Sequence, residues 1–391
     1  MKIGINASFS RKQNTGIGQV TLNFLKELLE FSRQGEKIKS DTRFILYLEE
    51  DLPEEFVLPE NFEKRTFLPY WKRDDLIRKI WWEKFLLPKK IREDKCEVFL
   101  SLYQNPTILR NKIKHVMIVH DIIPNFFPGY LNNWRKRFYW RMTEKAIRKA
   151  DKIISISHRT EKDMVQYLEI DPKKISVSYI AADEIYKKEV SNNESEKVLE
   201  KYGLEKGYIY SGGGMEVRKN VEGTIRAYKE LLDSESIFDK FELPDLVISG
   251  KLLPQLAPLV TDVKALVSSM GIESRVKLLD FVPQEDLPVL YKNAILFSYP
   301  SFYEGFGLPV LEAMHQGVPV LTSKKSSLPE VGADSVLYCD PADIKDIAMV
   351  MKNILANEHL RQTLSEKGKK RSQNFSCNKF TEKILNILYV Q

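Results

Sequence analysis

The sequence predicts an α/β protein built from two doubly wound parallel-sheet domains. Short β-branched or aromatic runs alternate with amphipathic helical stretches along the whole chain, the pattern of strands joined by crossover helices. Most of those runs are too apolar to have one wet face, so their sheets need helices on both sides, as parallel sheets do. The 391 residues also exceed one ordinary core, given roughly 100 to 200 residues per domain.

The strands expected in the first half are residues 2–6, 44–48, 98–101, 116–119, 153–156 and 175–180. Those in the second half are 208–210, 246–249, 276–279, 295–298, 318–322 and 336–338, which gives six strands to each domain. Between the first two strands, Val20, Leu22, Leu25, Leu28 and Leu29 are spaced to form one apolar helical stripe. Apolar periodicity gives way to charge over residues 187–196, which places the boundary nearby and predicts domains 1–185 and 186–375. Open α/β sheets bind ligands at the carboxyl ends of their strands, so two such sheets facing each other would frame an interdomain cleft.

Composition narrows the class. With 43% hydrophobic and 29% charged residues the chain is neither disordered nor fibrous. Sixty Lys and Arg against 54 Asp and Glu leave a charge of +6, too little to predict a nucleic-acid partner, and none is expected. Cys96, Cys339 and Cys377 lie far apart and belong to no ligand cluster, so no disulfide framework or zinc site is expected and a reducing cytoplasm fits. The first six residues turn polar too early for a signal peptide, and no run of about 18 apolar residues could span a bilayer.

The richest stretch is residues 300–314. A strand enters a loop holding Glu304, Gly305, Phe306 and Gly307; Leu308 and Pro309 follow, with Pro309 at an expected first helical position and Glu312 in the first turn. A helix N-terminus aimed into a strand-end crevice suits a phosphate. One carboxylate can meet a ligand hydroxyl while the other holds a second part of the same ligand. The plain alternative is a solvated Glu304 and a Glu312 that only complements the helix dipole.

Glu304 and Glu312, seven residues apart around Gly-Phe-Gly-Leu-Pro, resemble the E-x7-E signature of retaining glycosyltransferases of family 4. The likeness extends through Gly16-Ile17-Gly18, His120-Asp121, Arg218-Lys219-Asn220, Gln316-Gly317-Val318-Pro319-Val320 and Ser327-Leu328-Pro329-Glu330-Val331. It implies the GT-B fold of two facing Rossmann-like domains, with a last helix, residues 376–391, returning to the first domain. By the same resemblance Glu312 accepts the ribose hydroxyls of a nucleotide sugar and Glu304 contacts the donor sugar. Arg218 and Lys219 neutralise its diphosphate, a role suited to a planar fork of donors and a point charge. Gly16 and Gly18 belong to a loop over the diphosphate, His120 contacts the sugar, and Asp121 orients His120 or meets the acceptor. Phe281 and Val282 lie against the base.

The sequence departs from the family at Gly214, where many members carry arginine, at Asp280, where many carry glycine, and at Cys377, where tryptophan is usual. The Asp280 carboxylate could accept from the two N–H donors of guanine, which ranks GDP-mannose ahead of UDP-sugars and dTDP-rhamnose. The sequence contains no D-x-D pair, so neither a metal nor another cofactor is expected, and transfer should retain anomeric configuration. The expected acceptor is a glycan or a lipid-linked oligosaccharide. Rival readings are a dinucleotide oxidoreductase, which would need the third glycine missing after Gly18, and a non-catalytic sugar-nucleotide-binding scaffold.

Two basic and aromatic segments stand apart. Residues 62–92 hold ten Lys or Arg against four Asp or Glu, with Trp71, Trp81 and Trp82; residues 134–149 hold seven against one, with Trp134, Phe138, Tyr139 and Trp140. Each nets +6, so the remainder of the chain sums to −6. Ile77, Ile80, Trp81 and Phe85 share a helical face that either rests on an anionic membrane surface or packs on the domain core.

Overall fold

The computed structural model describes residues 1–35, 37–67, 75–109, 113–234 and 242–390. The chain divides into two units: unit 1 is Met1–Ala181 with Ser376–Gln391, and unit 2 is Ala182–Phe375.

Unit 1 holds a sheet of β1 (Lys2–Asn6), β2 (Arg43–Leu48), β3 (Phe62–Thr66), β4 (Val98–Ser101), β5 (Lys114–Val119), β6 (Lys152–Ser155) and β7 (Ile175–Val177). Their order is β3-β2-β1-β4-β5-β6-β7, and every neighbouring pair is parallel. The sheet therefore has seven strands rather than the six expected. The unforeseen β3 is an edge strand that alternates one buried Phe62 with half-wet and exposed residues, so it has no continuous apolar run to read. Phe62 is fixed by stacking on Phe44 of β2, ring centroids 4.7 Å apart.

Unit 2 holds β8 (Tyr208–Ser211), β9 (Leu246–Ser249), β10 (Val276–Leu279), β11 (Ala294–Tyr299), β12 (Val320–Ser323) and β13 (Leu337–Cys339). The order is β10-β9-β8-β11-β12-β13, again all parallel. Strand order reverses between β1 and β4 in unit 1 and between β8 and β11 in unit 2. Loops leaving adjacent strands diverge at such points and open a crevice at their carboxyl ends.

The first helix, Gly16–Gln34, buries the predicted stripe of Val20, Leu22, Leu25, Leu28 and Leu29. Against it lies Cys377–Tyr389, which buries Phe380, Ile384, Leu385 and Leu388; Phe24 and Phe380 meet edge to face at 6.4 Å. Burial of each such side chain contributes about 1.5–3 kcal/mol. The two units part at Ala181/Ala182, a few residues before the charged stretch 187–196. Ser191 and Glu194 form a reciprocal capping box that starts a helix at Asn192; Glu194 and Glu196 lie on its wet face, while Lys187, Lys188 and Glu189 precede it.

For the face over residues 75–93 the core-packing alternative fails, apart from a half-buried Ile80. Ile77, Trp81 and Phe85 do not pack on the core: they are 45%, 41% and 48% exposed. Helix Asp75–Trp81 passes into a π-type turn, Trp82–Leu86, before helix Leu87–Glu93. The wider turn shifts the helical register, so Trp82, Leu87 and Ile91 face inward instead. The Trp82 indole N–H donates to the Phe67 carbonyl at 3.0 Å. Trp71 lies outside the described residues.

Candidate active site

At the switch point of unit 2, the loop after β11 meets the turn after β8. Glu304 is almost wholly buried. Its Oε1 accepts from the Tyr299 hydroxyl at 2.7 Å and the Ser301 hydroxyl at 3.0 Å, and lies 2.7 Å from Arg218 Nη1. The main chain is held as firmly. The Ser327 hydroxyl contacts the Glu304 carbonyl at 2.8 Å and the Phe306 carbonyl at 2.7 Å, while the Phe306 ring packs edge to face on Phe375. Gly305 is buried within this loop. Gly307 caps helix Leu308–Gln316, whose second rather than first residue is Pro309. Either position tolerates proline, because the missing N–H lies among the unpaired donors of the first turn.

The turn after β8 supplies the cations. Arg218 Nη1 also donates to the Tyr303 carbonyl at 2.9 Å, and Nη2 to Glu216 Oε2 at 3.0 Å. Lys219 Nζ lies 2.9 Å from the same Glu216 oxygen and donates to the Gly213 carbonyl. Burial pushes the Glu216 carboxyl up, but Lys219 and Arg218 outweigh it and hold the group below its ordinary range. Asn220 laces the two loops together: its Nδ2 donates to the carbonyls of Pro300 at 3.1 Å and Pro341 at 2.8 Å. Gly214 has φ of 110°, a conformation that penalises side chains. An arginine is therefore disfavoured in this turn, and Arg218 is the guanidinium that meets Glu304.

Glu312 is the fifth residue of its helix, so it sits beyond the first turn where it was expected. It is buried and accepts from the Tyr291 hydroxyl at 3.0 Å. Burial raises its pKa from 4.5 to about 7, against the opposing pull of that hydrogen bond. Between these two values the native state holds a proton that the unfolded chain has lost, so stability falls as pH rises through the window. The full penalty, reached above pH 7, is up to roughly 3 kcal/mol. Glu312→Gln should therefore melt higher than the parent at pH 8 and nearly the same at pH 5. Identical differences at both pH values in thermal melts would contradict this.

Of the expected base-binding residues, Phe281 is 43% exposed, with Lys251 Nζ 5.2 Å from its ring centroid, and Val282 is buried. Asp280 accepts from the Leu252 backbone N–H at 3.0 Å, which commits one carboxylate oxygen to the loop itself.

The other predicted residues belong to unit 1. His120 directly follows β5 and is buried. Its Nε2 lies 2.9 Å from the Leu102 carbonyl; a carbonyl only accepts, so Nε2 carries the hydrogen. Burial lowers its pKa to about 4, against the pull of that bond, so the ring is neutral at physiological pH. Asp121 Oδ1 accepts from the Ile123 backbone N–H at 3.0 Å, closing a local turn. Gly16 and Gly18 are not in a loop but in the first turn of Gly16–Gln34, capped by Thr15, whose hydroxyl accepts from Gly18 N–H at 3.2 Å. That turn is itself a source of free N–H groups.

The sequence had singled out Glu304, Arg218 and Lys219, and the fold brings them together. Glu216, Tyr299 and Tyr291 carry no sequence signal, and Ser301 and Ser327, though inside the quoted motifs, are given no role by them. Tyr299 ends a strand and Glu216 lies just ahead of Arg218-Lys219-Asn220, outside every quoted motif, so neither carries a pattern of its own.

Two Rossmann-like parallel sheets, the second with a buried Glu–Arg pair at its switch point, are the parts of a GT-B glycosyltransferase. The chain belongs to the group 1 glycosyltransferases: residues 192–371 match the family Glycosyl transferases group 1, and residues 42–184 match Glycosyltransferase Family 4. It is 34% identical over 278 residues to O-antigen chain mannosyltransferase B of Escherichia coli, covering 69% of each chain. To O-antigen chain mannosyltransferase RfbU of Salmonella typhimurium it is 24% identical over 90% of each. Serotype-specific mannosyltransferase WbdA of Escherichia coli is 31% identical over 67% of this chain, which spans about a third (32%) of that longer protein. Among solved structures, WaaG, a glycosyltransferase involved in lipopolysaccharide biosynthesis, superposes with a TM-score of 0.73 over 100% of both chains at 18% identity. Anabaena Alr3699/HepE in complex with UDP and glucose gives 0.72 over 99% of each at 18%. At such identities the likeness is one of fold.

Proposed function

We propose that the protein transfers mannose from GDP-mannose to a glycan or lipid-linked acceptor during synthesis of a cell-surface polysaccharide, with retention of configuration and without a metal ion. The observation that carries this is the buried Arg218–Glu304 pair, with Glu216 and Lys219 beside it, at the switch point of unit 2. The mannose assignment is supported by the relatives, several of which are named mannosyltransferases.

Loss of a nucleoside diphosphate from a sugar carbon builds negative charge on the departing phosphate, and preorganised cations lower that barrier most. In this reading Arg218 and Lys219 meet the diphosphate, exchanging part of their contact with Glu216 for phosphate oxygens. The first-turn amides of Leu308–Gln316 and of the Gly16 and Gly18 turn add donors. Glu304 accepts sugar hydroxyls, and its bonds to Tyr299 and Ser301 fix it for that task. Glu312 accepts the ribose hydroxyls; with its pKa near 7 it does so best when ionised, at and above neutral pH. Phe281 and Val282 carry the base. Neutral His120 serves the donor sugar as an acceptor through Nδ1, and Asp121 meets the acceptor. The acceptor attacks from the face the phosphate leaves, and that phosphate takes its proton.

The location proposed is the cytoplasmic face of a membrane, reached peripherally. Among the described residues no helix is long and apolar enough to cross one.

A donor panel tests the reading. GDP should bind more tightly than UDP or dTDP in calorimetry, GDP-mannose should be consumed in the presence of acceptor, and EDTA should leave turnover unchanged. Equal affinity for GDP and UDP would remove the guanine assignment. Activity lost to EDTA and restored by a divalent cation would remove metal independence, and an inverted anomer in the product would remove retention.

A further inference from the structure

Unit 1 contains a cavity of about 790 Å³ between residues 84–92, residues 106–108 and helix Trp134–Lys149, within the size range of small-molecule sites, roughly 300–1,000 Å³. Its walls are apolar: Phe85, Pro88, Pro106, Ile108, Phe138 and Met142. Phe85 and Phe138 stand at its mouth, 48% and 50% exposed. Its remaining lining is cationic, from Lys84, Arg92, Arg141, Lys145 and Lys149, with no carboxylate. All five are exposed, and among the described residues none is in a salt bridge. Lys84 Nζ bridges the mouth, 5.5 Å from the Phe85 ring centroid and 5.9 Å from that of Phe138, and 3.5 Å from Met142 Sδ. The exposed apolar surface continues through Trp81, whose ring lies 4.8 Å from Phe85.

Five exposed cations that form no salt bridge among the described residues, around a hydrocarbon-lined hollow, call for an occupant that is anionic at one end and apolar at the other. We infer that this cavity is a lipid site: the phosphate of an anionic membrane lipid lies among Lys84, Arg141 and Lys145, and part of its acyl chain enters between Phe85 and Phe138. The inference deepens the membrane location proposed above and rests on it. A polynucleotide would satisfy the cations, but the lining offers a base edge almost no hydrogen-bonding group besides those cations. A lipid chain asks for none. Aromatic groups at a polar–apolar boundary and basic side chains beside anionic headgroups are both favourable. The two sequence segments with charge excess, residues 62–92 and 134–149, thus meet at one place in the fold.

The test uses the full chain and vesicles of phosphatidylcholine with or without phosphatidylglycerol. The protein should sediment with the anionic vesicles and not with the neutral ones, and high salt should release it. Phe85→Ser with Phe138→Ser, both at exposed positions, should weaken binding roughly tenfold or more. Arg141→Glu with Lys145→Glu should do at least the same. Transfer to a water-soluble acceptor should be unchanged in all variants, which shows that they are folded. Acyl chains carrying bromine should quench fluorescence in the parent, and Trp81→Phe should reduce that quenching. Failure of the parent to bind anionic vesicles would overturn the membrane location itself. Binding by the parent and both double variants alike would overturn the cavity while leaving the location standing. Displacement from vesicles by single-stranded RNA, or by glycerol phosphate alone, would overturn the lipid assignment.

Discussion

Glu304→Ala should reduce sugar transfer by roughly 10²–10³-fold or more, the scale seen when one preorganised group is removed from a transition state. The substitution also takes the 2.7 Å partner from Arg218 and the shared acceptor from Tyr299 and Ser301. Breaking a buried ion pair on one side costs about 3–5 kcal/mol, so the alanine variant should also melt well below the parent. Glu304→Gln separates the two effects. It keeps an oxygen for the two hydroxyls and removes only the charge, so it should recover much of the lost stability and little of the activity. Donor consumption and thermal melts on both variants decide the matter. A glutamine variant turning over at the parental rate would show that the carboxylate is structural.

Gly18→Ala should be the most damaging small substitution in unit 1. A Cβ at this position would lie 1.9 Å from the Lys12 carbonyl oxygen and 2.6 Å from its carbon. These are main-chain atoms and cannot swing aside. The Lys12–Thr15 turn would have to open, losing the bonds that Thr15 N–H and its hydroxyl make to the Lys12 carbonyl, at 3.0 and 2.9 Å. A loss of roughly 2–4 kcal/mol in urea unfolding is expected. Thr15→Ala, which removes the cap and the hydroxyl's bond to the Lys12 carbonyl but leaves room for the turn to stay closed, should cost about 1 kcal/mol. The donor KM should rise further in Gly18→Ala than in Thr15→Ala if the first-turn amides hold the diphosphate. Equal stability of the two variants would mean that the turn yields easily.

The difference between what could and could not be read from the sequence follows from how each feature is encoded. Strands buried on both faces, such as β5 and β11, write themselves as apolar runs. The edge strand β3, with Glu63, Lys64 and Arg65 in its middle, does not. The π-type turn at Trp82–Leu86 shifts the helical register without a distinctive residue, so the sequence could not decide whether Ile77, Trp81 and Phe85 face the core; they do not. In the site, Glu304 and Glu312 were legible because their spacing surrounds a strand-to-helix turn. Glu216 was not, because a carboxylate two or three residues from a cation looks the same whether fully solvated or half-buried between Arg218 and Lys219. The charged run 187–196 marks the neighbourhood of the division at Ala181/Ala182, but its composition does not distinguish a connecting segment from the wet face of a capped helix.

The order of the chain also has a consequence for biogenesis. Unit 1 is interrupted by unit 2 and resumes only at Ser376. The helix Cys377–Tyr389, which covers Phe24, is made only after the whole of unit 2. At roughly 5–20 residues per second of synthesis, the whole of unit 2 occupies the ribosome for on the order of ten to forty seconds. Throughout that interval the apolar stripe of Gly16–Gln34 lacks its cover on the nascent chain. A chaperone that holds such chains, or slow translation through unit 2, should therefore govern the yield of unit 1 more than that of unit 2, even though most of unit 1 precedes unit 2.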